Sequence, residues 1–241
     1  MNIRKKVKDN IYPPIYDLVK YYFYRYIKGS FFAKDNLDKK LLNYLDYKNG
    51  YFVELGANNG FNQSNTLHFE LKKNWHGILI EPAPNLYLEC CFFRRNIKNK
   101  IFCNACVGFD YNKEFVEISY ANLMSTSTSI DLDIPDLNEY ESKQRFSIQE
   151  HEKNLSFGSK AITLDALLKK SNAPKIIDLL SLDVEGAELE VLSGLKFNEY
   201  SFKFILVETR VPDKINDFFV EKGYEFIDYL SQTDMLFCKK N

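Results

Sequence analysis

The chain has 241 residues, 45% of them hydrophobic and 27% charged, with a formal net charge of -1 at pH 7. This suffices for the core of one α/β domain with appendages, and the near-zero charge argues against a protein that coats nucleic acid, which draws on an excess of Lys and Arg. The chain lacks the roughly 18 consecutive apolar residues that a membrane span needs, and its basic start lacks the apolar stretch of a secretion signal, so a cytoplasmic protein is expected.

Residues 1–28 stand apart by charge. Arg4, Lys5, Lys6, Lys8, Lys20, Arg25 and Lys28 against Asp9 and Asp17 give +5, which leaves -6 on the remainder. After Pro13-Pro14, the residues Ile15, Leu18, Val19, Tyr22, Phe23, Tyr26 and Ile27 recur at helical spacing and predict one apolar stripe. Such a stripe packs on the main domain, meets a second copy in a homodimer, or lies on the inner face of an anionic membrane. The sequence leaves these uses open.

From residue 50 strand and helix patterns alternate, which predicts a mostly parallel sheet with helices on both faces. The expected strands are Tyr51–Leu55, Gly77–Glu81, Ile101–Val107, Ile177–Asp183, Phe204–Glu208, Tyr224–Tyr229 and Met235–Lys239, the last two forming an antiparallel hairpin. Helices are expected at Ser64–Lys73, at Thr163–Lys170 with Thr163 as cap, at Ala187–Leu195, and at Asp213–Lys222 ending at Gly223. Residues 110–160 break this rhythm apart from an extra strand at Phe115–Ser119, and are read as a lid over the substrate. Cys90, Cys91, Cys103, Cys106 and Cys238 show no disulfide framework. Cys103 and Cys106 read as C-x-x-C, but on one strand they point to opposite faces and are expected to be core thiols rather than metal ligands.

YFVELGANNGFNQSNT, residues 51–66, is a strand, a Gly56-x-x-x-Gly60 turn and the start of a helix, placed where such folds bind ligands. A phosphate loop would carry a Lys, and Glu54 would repel a phosphate. A nicotinamide loop would carry a glycine where Asn58 stands. A carboxylate at a strand end suits a cation instead, and an ammonium joined to an adenosine describes S-adenosylmethionine. Glu81, ending the next strand, is placed to accept the hydroxyls of a ribose. In LLSLDVEGAELEVLSGL, residues 179–195, an apolar strand delivers Asp183 and Glu185 to its carboxyl end, and Glu208 ends the neighbouring strand. These three carboxylates could act as a base, grip an ammonium, or hold a divalent ion such as Mg2+; no metal ligand is assigned.

In VELGANNGFNQSNT, NWHGILIEPAP, ITLDALL and LLSLDVEGAELEVLSGL, the chain resembles the FkbM family of S-adenosylmethionine-dependent methyltransferases over about residues 50–210. The resemblance implies a class I methyltransferase (Rossmann-like) fold with a seven-stranded, mostly parallel sheet and an antiparallel last strand. It implies O-methylation of hydroxyls on sugars or other metabolites, here a sugar of a surface polysaccharide or glycan precursor. Carried over by position, Glu54, Gly56, Asn58 and Gly60 form the cofactor turn, and Ser64 and Asn65 open the helix beside it. Glu81 holds the ribose, Asn104 and Ala105 lie near the adenine, and Asp183 faces the methionine end and the acceptor. Asp183 is the first choice for the base, ahead of Glu208, with Glu185 beside them; His68, His76 and His151 are further candidates. Residues 1–48 are read as a helical extension and 49–241 as the cofactor-binding domain. The rivals are a nucleic-acid methyltransferase, disfavoured by charge and by the lack of an N-P-P-[YF] motif, an NAD-dependent oxidoreductase, and a non-catalytic nucleotide-binding protein.

Overall fold

The structure, a computed structural model, describes residues 13–26, 31–121, 125–127, 132–134 and 155–240. Its main sheet joins β1 (Tyr51–Leu55), β2 (His76–Ile80), β3 (Lys100–Phe102), β8 (Ile176–Leu182), β9 (Ser201–Glu208), β10 (Tyr224–Tyr229) and β11 (Asp234–Lys239). The spatial order is β10-β11-β9-β8-β1-β2-β3. Every pairing from β9 to β3 is parallel, whereas β11 runs antiparallel to both β9 and β10. The chain therefore reverses direction of travel at β1, where β8 pairs on one side and β2 on the other. A crevice opens at that point beyond the carboxyl ends of the strands.

Helices cover both faces because side chains along a strand alternate. Val53, Leu55, Ile78 and Ile80 pack against α5 (Leu164–Lys170), α6 (Glu188–Ser193) and α7 (Pro212–Glu221). Phe52 and Leu79 point the other way, towards α2 (Leu37–Leu45), α3 (Leu67–Lys73) and α4 (Pro84–Phe93). Thr163 caps α5 as expected, its hydroxyl accepting the Ala166 N–H at 3.2 Å. Leu37, Leu41 and Leu45 of α2 share a core with Phe52, Leu179, Leu206 and Leu236. Residues 37–45, assigned from sequence to the extension, are thus a layer of the main domain.

Two further expectations change. The single strand expected at Ile101–Val107 breaks at residues 103–104: β3 stays in the main sheet, and β4 (Ala105–Val107) leaves it. With β5 (Phe115–Ser119), β6 (Thr126–Ser127) and β7 (Ser156–Thr163), β4 builds a second sheet in the order β4-β7-β5-β6. The segment 110–160 thus contributes strands at both ends, while 128–131 and 135–154 lie outside the described residues. Cys103 is half-buried near the Pro82 carbonyl, Cys106 is buried in the core, and both are free thiols. Burial pushes both thiols up, Cys106 to about 12, so both are inert.

The N-terminal helix α1 (Pro13–Tyr26) seats Tyr21 against Phe61 at 5.4 Å and Phe93 at 5.1 Å between ring centroids. Leu18 and Tyr24 join that cluster. The buried residue is therefore Tyr21, which lies outside the expected stripe, and the stripe residues Val19, Tyr22, Phe23 and Tyr26 face solvent.

If α2 is a layer of this core, Leu41→Ala should cost about 2–5 kcal/mol, since Leu41 is fully buried. Urea unfolding measures this, and a loss well under about 1 kcal/mol would return α2 to the status of an appendage.

Candidate active site

The turn after β1 is built around a buried cation. The Arg94 guanidinium, at the end of α4 and 1% exposed, lies over the Phe52 ring and donates through Nε to Glu70 Oε2 at 2.7 Å. Its Nη1 reaches Glu54 Oε2 at 3.2 Å, Ser64 Oγ at 3.0 Å and the Gly60 carbonyl at 3.3 Å, and Nη2 reaches Thr66 Oγ1 at 2.8 Å. Burial opposes the charge, but Glu70 and Glu54 outweigh it and hold the guanidinium pKa above its usual value. Glu54 also accepts from the Ser64 hydroxyl at 3.0 Å, the Asn65 N–H at 3.0 Å and the Thr66 hydroxyl at 2.5 Å. The strand-end acid expected to meet a ligand ammonium is thus already engaged by its own loop. Its role is to fix residues 64–66 at the head of α3.

Both glycines answer to the protein chain. A Cβ on Gly56, at φ +73°, would fall 1.8 Å from the Asp183 carbonyl, where the ends of β1 and β8 press together. A Cβ on Gly60, at φ +74°, would fall 2.6 Å from Arg94 Cγ and 2.8 Å from Cys90 Sγ. Asn58 sits between them at φ +47°, a conformation asparagine tolerates.

Behind this turn lies a cavity of about 380 Å³. At one end Glu81, 4% exposed, accepts the Asn58 N–H at 2.8 Å and the Ala83 N–H at 2.9 Å. Burial pushes its carboxyl up to about 7 despite those donors. Asn104 and Ala105, at the break between β3 and β4, line the cavity with it.

At the other end Asp183, Glu185 and Glu208 bring carboxylate oxygens within 4.8 Å of one another. The strand register does this: β1 and β9 flank β8, so Leu182 lies beside Leu55 and Val207, and the residues that follow emerge together. Glu185 sits at φ +56° and pairs with Arg210 Nη2 at 2.8 Å. The turn is pinned by Glu188 Oε1, which accepts from Val184 N–H at 3.2 Å and Gly186 N–H at 3.1 Å. Burial, then the charges of Glu208 and Glu185, hold the Asp183 carboxyl well above the usual range. Asp183 Oδ1 and Asn65 Oδ1 are buried on this wall and have no hydrogen-bond partner among the described residues. A ligand that brings donors would satisfy them, an ammonium at the acidic end in particular.

The family described as Methyltransferase FkbM domain matches residues 54–232. The chain belongs to the FkbM methyltransferase family. Membership implies S-adenosylmethionine as the methyl donor, and the orphaned acceptors beside an acidic cluster fit its ammonium. No curated protein matches. Among solved structures the chain is similar to a precorrin-6y C5,15-methyltransferase from Geobacter metallireducens GS-15, at 11% identity and TM-score 0.42, covering 88% of this chain and 91% of that one. It is also similar to a chain of a fibrillarin/Nop5p complex, at 9% identity and TM-score 0.42, with coverage of 87% and 81%.

Within this FkbM domain, Glu54, Gly56, Asn58, Ser64, Asn65, Glu81, Asn104, Ala105, Asp183, Glu185 and Glu208 all line the cavity. Gly60 does not; it sits behind the wall, against Arg94. His68 is buried and stacked on Phe31 at 4.5 Å, and His76 packs against Tyr51, so neither lines the cavity. His151 lies outside the described residues. Sequence reasoning missed Arg94, Glu70, Glu188 and Arg210, and also Thr126, whose hydroxyl donates to the Glu185 carbonyl at 3.1 Å. Glu188 alone had a signal, as an acid in the first turn of a helix closely following a glycine.

Arg94→Met would leave Glu54 and Glu70 buried without their cation, and should cost about 3–5 kcal/mol in urea unfolding, with slack in residues 56–66. A neutral result would show that water solvates the two carboxylates. A second expectation concerns pH. Burial pushes both Glu81 and Glu188 up to about 7 from an ordinary 4.5, so folding binds their protons more tightly. Their stabilising contribution is complete below pH 4.5 and is lost as the pH rises through about 7. The melting temperature of the free protein should fall across that window, whereas a flat profile would refute the buried state of these groups.

Proposed function

We propose that the protein is an S-adenosylmethionine-dependent O-methyltransferase acting on a sugar hydroxyl in a surface polysaccharide or glycan precursor. The observation that carries this reading is Asp183: a half-buried residue whose buried Oδ1 has no hydrogen-bond partner among the described residues, beside two further carboxylates, inside the cavity of a methyltransferase domain.

When bound, the donor supplies an electrophilic methyl carbon and a neutral thioether leaving group. The residues around it have three tasks. Glu81 at one end and the Asn65 amide with the acidic cluster at the other offer acceptors to the two polar ends of the ligand. The Arg94 network fixes the turn between them before any ligand arrives, so little ordering cost falls on binding. Asp183 takes the proton of the acceptor hydroxyl as its oxygen bonds to the methyl carbon and the carbon–sulfur bond breaks. A carboxylate whose pKa is raised by burial and by Glu208 is a stronger base than an ordinary aspartate, provided the pH is high enough to deprotonate it. Glu208 lies close enough to Asp183 to share that proton.

The three carboxylates would also suit a divalent cation such as Mg2+, with Arg210 already balancing part of the charge at Glu185. Activity that collapses with a chelator and returns with Mg2+ would assign the cluster to a metal; indifference to chelator leaves Asp183 as the base.

Calorimetry should detect S-adenosylmethionine or its demethylated product, with NAD not competing, and Glu81→Ala should weaken binding at least about tenfold. Asp183→Asn should retain product binding but lose about 100-fold or more in turnover, together with the acid limb of the pH–rate profile. Wild type that binds NAD in preference, or neither ligand, would sink the reading. The acceptor is found by mass spectrometry of glycans from a strain lacking the protein: one sugar should be lighter by a methylene.

A further inference from the structure

Helix α1 turns an aromatic face outwards. Val19, Tyr22, Phe23 and Tyr26 are 62%, 48%, 44% and 69% exposed, and they recur at i, i+3, i+4 and i+7, which makes one stripe two turns long. Tyr22 and Tyr26 stack along it, ring planes 8° apart. The opposite side of the helix is committed to the domain through Leu18, Tyr21 and Tyr24, so the stripe cannot roll inwards without emptying that cluster. At about 100° per residue, Lys20 and Arg25 fall roughly 110° to either side of the stripe. Lys20 is anchored to Asn62 at 2.5 Å, and Arg25 to the Tyr21 hydroxyl at 2.5 Å.

We infer that this stripe is a docking surface for an anionic lipid bilayer. An exposed stripe of aromatic side chains matches the headgroup boundary, where ring and hydroxyl sit at different depths. Charge selects this occupant. Residues 1–28 carry seven bases and two acids, a net +5 against -6 on the rest of the chain, so the segment is attracted to an anionic surface that repels the remainder. The same charge disfavours a second copy, because two identical basic segments repel each other. Among the described residues no helix is long and apolar enough to cross a membrane, so the contact lies at the surface. The inference stands independently of methyl transfer.

The full chain is sedimented with vesicles of equal parts phosphatidylcholine and phosphatidylglycerol, and with phosphatidylcholine alone. It should pellet with the anionic vesicles, do so less as salt is raised, and barely pellet with the neutral ones. The combined variant Val19→Ser, Tyr22→Ser, Phe23→Ser and Tyr26→Ser should lose about tenfold in bound fraction, with its melting temperature unchanged. Because that variant removes four side chains, a gentler one accompanies it. In Tyr22→Trp the emission should shift to the blue when anionic vesicles are added, against the constant background of the single, buried Trp75. Failure of the wild type to pellet, an emission that does not shift in Tyr22→Trp, or equal pelleting of the serine variant would each overturn the inference. So would self-association in sedimentation velocity that the serine variant abolishes, which would assign the stripe to a second copy.

Discussion

A buried guanidinium organises the cofactor side of this molecule. Arg94 is shut off from solvent, and an isolated charge in that position would be prohibitive, so the fold surrounds it with two carboxylates, two hydroxyls and a carbonyl. Those partners come from separate stretches of the chain: β1 through Glu54, the glycine turn through the Gly60 carbonyl, the loop through Ser64 and Thr66, and α3 through Glu70. Satisfying one cation therefore fixes the path of residues 54–70. Gly60 follows from it, because the arginine stem occupies the space where a Cβ would stand. The cavity wall thus gets its shape from the protein's own electrostatics.

The acidic end has the opposite character, since its charges are gathered without full compensation. Strands β8 and β9 run parallel in register, so Asp183 and Glu208 leave the sheet side by side, and the turn after β8 adds Glu185 in a left-handed conformation. Of the three, Glu185 is the one with a salt bridge among the described residues, to Arg210. Burial and then the remaining repulsion raise the Asp183 pKa, a cost in the free protein that a cationic ligand or a transferred proton would relieve. A domain that neutralises Glu54 with a buried arginine yet leaves an Asp183 oxygen unpartnered separates a carboxylate committed to its own loop from one open to a ligand.

That separation was not legible in the sequence. Glu54 and Asp183 both end apolar strands shortly before a glycine, and nothing local distinguishes them. The difference lies in Arg94, forty residues from Glu54, in a run of aromatics and bases without periodic signal. What local pattern does encode was read well: the glycine turn, the strand-end acids at 81, 183 and 208, the Thr163 cap, and the antiparallel final strand. Long-range partners were not encoded locally. The strand β7 was missed because its exposure alternates but its hydrophobicity does not: the inward positions are Phe157, Ser159 and Ala161, with the polar Ser159 the most buried. Period alone also left α1 undirected: it reports that a helix has an apolar face, and the side turned to the domain was decided by Tyr21 finding Phe61 and Phe93.

The central segment of the chain braces the acidic end of the cavity. The Thr126 hydroxyl holds the Glu185 carbonyl, and the Asp133 N–H donates to the Gly186 carbonyl at 2.8 Å, so both described pieces of the central segment grip the turn that carries Glu185. Ile134 packs where a Cβ on Gly186 would stand, 2.7 Å from its Cγ1, which leaves glycine as the side chain-free position that lets the segment approach. Residues 125–127 form part of the cavity wall, so whatever molecule rests against them also rests against the support of Glu185. Displacing that wall would tilt the turn through these two backbone contacts and change the spacing among Asp183, Glu185 and Glu208. That spacing bears on Asp183, whose carboxyl is pushed up first by burial and then by the charges of Glu208 and Glu185.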